Sequence, residues 1–495
     1  MARAFFHGPH SRNQRPVPQV VTSELRARNL RTTLRYAMNR QYGFVLSLVV
    51  LFSSVFAKAQ YTDIQAMNDL GGPKEFAERR TELAGKLKTG YVLLFAKTQV
   101  PEANHYREDN DFYYYTGLGD PGAVMLMDVA TQRTSIFEPQ QSPRQVQVYG
   151  PNLLSMSKEQ QKELGYPAVL PLSSLDGILS YLFGGGAAND LWLRLGFADK
   201  ADGARSETGR DYAEQYNDPY GQSLPGDRDA LLKLRERYPA ANFRNVTGAI
   251  DEMRNIKRPA EIEVLRRNGR ISAQGDKQAI MMAHPGMWEY QIEAEAEFGF
   301  RNSGAQGLAY PAIVGAGPHA NTWHYFFNRS KIEAGSVVVF DFAADLDHMT
   351  MDITRTFNID GKFTPEQAKW YNVDLECQKA VIDMLKVGNT YEQAEAAGKK
   401  VFDREGVGSQ WYGWPGHFVG LATHDVMPVK GPIQAGQVVT VEPIVEFPDK
   451  HWHFRVEDTI LITANGPEVL SSSIPKEIGD VEKMVGTLPA AEPVK

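Results

Sequence analysis

The sequence predicts a two-domain fold, α/β in its first half and α+β in its second, behind a separate N-terminal extension. Helix-like and strand-like stretches alternate from Met67 to about Leu195, as in an α/β domain. A second block from Val246 opens with two long helical patterns and carries strand-rich sequence at Ala309–Phe357 and Gln437–Thr463. Between the blocks, Ala198 to Gly226 is rich in Gly, Asp, Arg and Ser, and reads as a loop or linker. These divisions give an extension over 1–59, a first domain over 60–197, a linker over 198–245, a second domain over 246–478 and a tail over 479–495. The chain has 495 residues, enough for two or three domains with ample core.

Element by element, the segment Pro73–Leu87 is an amphipathic helix with proline near its start. Tyr91–Ala96 is a buried strand. The run DNDFYYYTGLGDPGAVMLMDV reads as strand, turn and strand, its tyrosines as core and turn packing. SSLDGILSYLF is a helix and WLRLGF a strand. In the second block, Pro259 opens a helix with acids in its first turn. Thr364 and Gln367 have capping-box spacing ahead of a third long helix. The only cysteine, Cys377, lies in that helix, so no intramolecular disulfide forms, and the default is a buried core thiol.

The extension is Arg-rich to Ala37. Arg40 then precedes an unbroken apolar and small-residue run, Phe44–Phe56, and Ala57-Lys58-Ala59 stands before Gln60. This is the layout of a secretory signal peptide, too short for a comfortable membrane span. Export of a chain beginning near Gln60 is the expectation, with Met38 a candidate start. A transit segment or an uncleaved anchor are the alternatives. The net charge of −7 is mild and offers no basic face, so nothing here points to nucleic acid.

The chemistry lies in the second block. VVVFDFAADLDHMTMDITRTF (Val337–Phe357) places Asp341 and Asp352 in apolar, strand-like sequence. A hairpin centred between Leu346 and Asp347 sets them face to face, with Cβ atoms roughly 5 Å apart. Two such carboxylates repel unless a cation lies between them; the bland alternative is a pair of solvated acids on an edge hairpin. Downstream, Glu442 and Glu457 flank the turn Pro448-Asp449-Lys450, and a hairpin centred between Asp449 and Lys450 sets these face to face as well. Between the hairpins, GHFVGLATHDV holds His417 and His424. Four carboxylates with imidazole suit Mn²⁺, with Zn²⁺, Co²⁺ or Fe²⁺ competing. Two such cations roughly 3.5–4 Å apart polarise a carbonyl and turn water into hydroxide near neutral pH. Asp345, Asp347, His348, His451 and His453 read as exposed or turn residues.

The series HYFFN, DFAADLDHMTMDITRTF, GHFVGLATHDV, VEP and RVEDT resembles the aminopeptidase P and prolidase group of metallopeptidases. FAERRTELAGKL with NDFYYYTGLGDPGAVMLM resembles the N-terminal domain of aminopeptidase P. The resemblance covers nearly all of the chain beyond Gln60. It implies an aminopeptidase-P-type α/β domain followed by a pita-bread catalytic domain, two divalent metal ions and a homo-oligomer. It implies that Asp341 binds one metal, that His417 and Glu442 bind the other, and that Asp352 and Glu457 bridge both. His324 and His424 would line the substrate site, His424 donating to the carbonyl oxygen, and Arg455 would orient the carboxylates. The family usually has a histidine where this chain has Gly413; Trp411, Tyr412 and Trp414 around it could offer an apolar platform to proline instead.

The implied activity is an exported dinuclear aminopeptidase that uses a metal-bridging hydroxide to release the N-terminal residue when proline is second. An X–Pro bond has no N–H, so ordinary peptidases fit it poorly. The alternatives are a prolidase acting on X–Pro dipeptides, a metal-free relative of the creatinase kind, and a peptide-binding pseudo-enzyme on the same fold.

Overall fold

The computed structural model describes residues 62–98, 106–185, 189–217 and 226–489. The signal-peptide reading of the extension lies outside these residues. Among the described residues, no helix is long and apolar enough to cross a membrane.

Six strands form the first sheet: β1 (Tyr91–Phe95), β2 (Val124–Asp128), β3 (Thr134–Glu138), β4 (Val169–Pro171), β5 (Asp190–Leu193) and β6 (Asn242–Asn245), in the order β4-β3-β2-β1-β5-β6. The β1–β2 and β2–β3 pairs are antiparallel; the outer pairs are parallel. Its strands are apolar on both faces because both are covered. Val92, Leu94, Met125 and Met127 face the main core, while Leu93, Val124, Leu126 and Leu191 pack in a second cluster with Leu179, Phe183 and Leu234. Strand β6 extends this sheet past the expected first-domain sequence.

Two elements depart from the sequence reading here. Asn110–Thr116 is a helix, not a strand. Asp109 caps it by accepting from the amides of Asp111 and Phe112, Gly117 ends it in the left-handed region at φ 61°, and Phe112, Tyr114 and Tyr115 are buried around it. Capping and burial on all sides override the β-propensity of these aromatics. Arg205–Asn217, expected as loop, is also helical. Arg205 holds its start through ion pairs with Asp111 (2.7 Å), Asp199 (3.3 Å) and Asp251 (2.9 Å). Tertiary fastening outweighs the Gly-, Asp- and Ser-rich composition.

The second half repeats one plan. The helix pair Pro259–Met282 and Glu289–Asn302 is followed by strands; the pair Pro365–Met384 and Tyr391–Arg404 is followed by more. Thr364 and Gln367 form the expected capping box, and Cys377 is fully buried, its thiol pushed up by that burial. The first strand set comprises β7 (Gly307–Leu308), β8 (Ile313–Ala316), β9 (Val337–Asp341), β10 (Ala344–Leu346), β11 (Met349–Thr350) and β12 (Thr354–Asn358). The second comprises β13 (Val438–Val441), β14 (Ile444–Phe447), β15 (Trp452–Arg455), β16 (Asp458–Thr463) and β17 (Gly466–Val469). The tail from 479 begins inside a helix, Ile478–Met484, whose Val481 and Met484 are buried in the main core.

The second hairpin has the expected register: Ile444 pairs with Arg455 and Val441 with Asp458, which sets Glu442 opposite Glu457. The first is shifted by two residues. Leu346 pairs with Met349 and Asp341 with Thr354, so the turn is Asp347-His348. Both turn residues have positive φ, 52° and 65°, as a tight two-residue hairpin turn requires. A two-residue shift keeps every side chain on its face, so Asp341 and Asp352 still share one, diagonally and not directly opposite.

The acids near this turn are not solvated. Asp345 and Asp347 are buried, the first paired with Arg107 and the second with Arg267 and Gln306. His348 stacks on Tyr113 with ring centroids 3.6 Å apart. His453 is fully buried too, and burial pushes it down to about 4. Contacts from Arg107 and Tyr113 of the first domain remove this hairpin end from solvent, which hydropathy alone does not foresee.

Candidate metal centre

Asp341, at the end of β9, and Asp352, just ahead of β12, meet Glu442 and Glu457 from the β13–β16 hairpin, with His417 from the loop after Gly416. Three overlapping groups each bring their ligand atoms within 4.8 Å of one another: Asp341–Asp352–Glu457, His417–Glu442–Glu457, and Asp352–His417–His424. Glu457 belongs to the first two and Asp352 to the first and third. The Nε2 atom of His417 lies 3.3 Å from Asp352 and 3.4 Å from Glu442.

Neighbouring side chains hold these ligands. Tyr310 donates to Asp341 Oδ1 (2.6 Å) and Arg455 Nη2 to its Oδ2 (2.6 Å). Thr354 donates to Glu457 Oε2 (2.7 Å) and accepts from Arg455 Nε (3.1 Å). Arg455 thus orients one acid directly and another through a hydroxyl. Sequence reasoning found Arg455 and missed its two helpers. Thr354 was within reach, because alternation puts it on the face of Asp352; Tyr310, 31 residues from Asp341, carries no local sign.

Whether these residues suit cations can be judged from what they leave unsatisfied. Asp352 Oδ1 and Glu457 Oε1 are buried and have no hydrogen-bond partner among the described residues, an expensive state unless another group meets them. Burial raises Asp341 to about 7 despite Arg455, and burial with Asp352, Glu442 and Asp341 nearby raises Glu457 well above the carboxylate range. Burial disfavours charge on His417, but Asp352 and Glu442 outweigh it and hold the ring at about 9. Without cations the cluster gathers protons; cations would replace them. The donor set and its unmet oxygens fit divalent metal.

The other predicted residues stand around this cluster. His424 lies against His417, ring centroids 4.1 Å apart, and its Nδ1 is 2.7 Å from Glu207 Oε1. His324 is exposed beside the site, and its ring is stacked on Phe326 at 5.7 Å. A cavity of about 310 Å³ opens next to the histidines, lined by Ala204, Glu207, Trp414, His417, His424 and Val429. Trp411 does not share in it; it packs edge-on against Phe402. Tyr412 donates to the Glu442 carbonyl (3.0 Å) and leans on Trp323. The expected aromatic platform reduces to Trp414 and the Trp323–Tyr412 pair.

Gly413 sits at φ 113°, where side chains are strained, although among the described residues no atom beyond its chain neighbours lies within 4 Å of where a Cβ would stand. Restoring a histidine there would therefore report on strain and not on substrate binding. Gly413→Ala is expected to destabilise by about 1–3 kcal/mol through backbone alone, read as a lower denaturant midpoint with unchanged slope.

The profile of metallopeptidase family M24 matches residues 263–464, and that of the aminopeptidase P N-terminal domain matches residues 76–192. The two matches together give a metallo-aminopeptidase hydrolase layout, an aminopeptidase-P-type domain ahead of an M24 pita-bread domain of the divalent-metal-binding kind. Its relatives include the Xaa-Pro aminopeptidase of Escherichia coli, 28% identical over 464 residues, covering 83% of this chain and 97% of that one. Xaa-Pro aminopeptidase 3 of Rattus norvegicus is 26% identical, covering 77% and 76%. Among solved structures, E. coli aminopeptidase P with the inhibitor Pro-Leu superposes with a TM-score of 0.69 at 26% identity, covering 83% of this chain and 98% of that one.

Proposed function

We propose that this protein is a dinuclear metallo-aminopeptidase that releases the N-terminal residue of peptides with proline second. The overlapping ligand groups carry the reading. Asp341, Asp352 and Glu457 would hold one ion, and His417, Glu442 and Glu457 the other, with Asp352 reaching toward both. When bound, two divalent cations supply Lewis acidity and hydroxide at neutral pH. The carboxylate-rich set favours Mn²⁺. The layout of the extension supports export.

The chain's own residues do the rest. Arg455, Thr354 and Tyr310 fix the acids before substrate arrives, so no reorganisation is needed during reaction. His424, beside the cluster and outside its carboxylate core, donates to the carbonyl oxygen as charge develops there. His324 at the exposed side meets the peptide. Trp414 offers the cavity a flat apolar face suited to a proline ring.

A prolidase reading has one observation in favour: the Xaa-Pro dipeptidase of Pyrococcus furiosus is 29% identical over 244 residues. That match covers 48% of this chain, whereas the first domain matches the aminopeptidase P type. Offering Ala-Pro, Arg-Pro-Pro and a longer X-Pro peptide with Mn²⁺, and identifying products by mass, separates the two. Cleavage of the dipeptide alone would overturn the aminopeptidase reading.

Dialysis against EDTA is expected to abolish hydrolysis and Mn²⁺ to restore it, with about two ions per chain by elemental analysis. His424→Ala is expected to retain metal and lose on the order of 10²–10³ in kcat, the usual cost of one oxyanion donor. Loss of metal in that variant would make His424 a ligand.

A further inference from the structure

The segment between the two matched domains sends a side chain to the metal centre. Glu207 lies on the Arg205–Asn217 helix, outside both residues 76–192 and residues 263–464. Its Oε1 lies 2.7 Å from His424 Nδ1, and its Oε2 accepts from the amide of Ala204 at 2.7 Å. Both carboxylate oxygens are therefore engaged, and the second caps the helix. The helix is fastened by Arg205, whose ion pairs reach Asp111, Asp199 and Asp251. On the other side, Asp425, the neighbour of His424, pairs with Arg254 (2.6 Å) and Lys257 (3.0 Å). Glu207 thus holds the His424 ring directly, while the pairs of Asp425 anchor the backbone beside it.

A carboxylate can only accept, so His424 Nδ1 carries the hydrogen of this bond. That leaves Nε2 as the nitrogen free to meet substrate, and places a negative charge behind the ring when Nε2 is protonated as well. We propose that Glu207 is a positioning residue for the hydrolysis, fixing the tautomer and orientation of His424 through the Nδ1 hydrogen bond. The inference rests on the role given above to His424.

The test uses the full-length, Mn²⁺-loaded protein and an X-Pro peptide. Glu207→Gln keeps one acceptor for the Ala204 amide but removes the charge behind the ring. Expected are a fall in kcat of roughly tenfold or more, with KM, metal content and thermal midpoint unchanged. In a His424→Ala background the same change is expected to add nothing, since the ring it positions is gone. A helix-stabilising role alone would cost the same in both backgrounds and would overturn the proposal. So would a Glu207→Gln enzyme within about twofold of wild type beside a crippled His424→Ala. An undiminished kcat in His424→Ala itself would instead overturn the role of His424. One measurement needs no variant: in Zn²⁺-loaded protein with ¹⁵N-labelled histidine, His424 Nδ1 is expected to carry a proton, and a bare Nδ1 refutes the assignment.

Discussion

Asp352→Asn is expected to strip bound divalent metal and to cost on the order of 10³ in kcat/KM, about 4 kcal/mol at 1.36 kcal/mol per tenfold. Asp352 is 6% exposed, one oxygen lies 3.3 Å from His417, and the other has no hydrogen-bond partner among the described residues. An amide in its place offers half the acceptors and no charge, at a point where two ligand groups overlap. Glu457→Gln should match it in activity, because Glu457 also belongs to two groups. The two variants should part in the metal-free protein. Although burial opposes it, His417 keeps the Asp352 carboxyl below its ordinary range, so Asn loses an ion pair. Glu457 is pushed the other way by burial and three neighbouring acids, so folding favours its neutral form and Gln supplies one without the cost of taking up a proton. The expected order of metal-free thermal midpoints is Glu457→Gln at or above wild type, with Asp352→Asn below. With Mn²⁺ added, wild type should rise and both variants stay put, since only a bound ligand shifts the midpoint. Equal metal content and rate in Asp352→Asn and wild type would remove the site.

The meeting of these acids is legible in the sequence because strand alternation and turn chemistry are local. Pro448-Asp449-Lys450 marks a turn, so counting outward pairs Glu442 with Glu457. The Asp347-His348 turn bears no glycine or proline, so its centre lies one residue beyond the expected place and the pairing shifts by two, yet the period of two keeps Asp341 and Asp352 on one face. What was not readable is long-range. The Arg205–Asn217 helix depends on acids at Asp111, Asp199 and Asp251, and Glu207 meets a histidine 217 residues away. Asp345 and Asp347 look like turn acids until Arg107 and Arg267 arrive from elsewhere in the chain. Buried ion pairs between distant segments leave no periodicity, and composition reads them as surface.

The largest of these ion clusters bears the second large effect. Arg254→Met is expected to destabilise by about 3–5 kcal/mol, the usual cost of stranding buried carboxylates. The Arg254 side chain is 1% exposed and meets Asp111 at 2.9 Å, Asp199 at 2.5 Å and Asp425 at 2.6 Å. These acids come from the first domain, the segment after it and the His424 loop, so one guanidinium joins three parts of the chain. Each acid has another cation: Arg194 and Arg205 for Asp111, Arg205 for Asp199, Lys257 for Asp425. That keeps the loss from being larger. Unfolding entropy of ~2.1 cal/mol/K per residue converts it to a fall of roughly 3–5 °C in thermal midpoint for a chain of this length. Activity should fall too, because Asp425 is tied to the backbone that carries His424, and a small misplacement at a reacting centre can cost 10²-fold. Adding Asp199→Asn to Arg254→Met should recover part of the stability, since it neutralises a stranded charge, and little of the activity, since Asp425 stays unpaired from Arg254. Strictly additive losses would mean that Asp199 and Arg254 do not share one electrostatic unit, and that packing alone joins these segments.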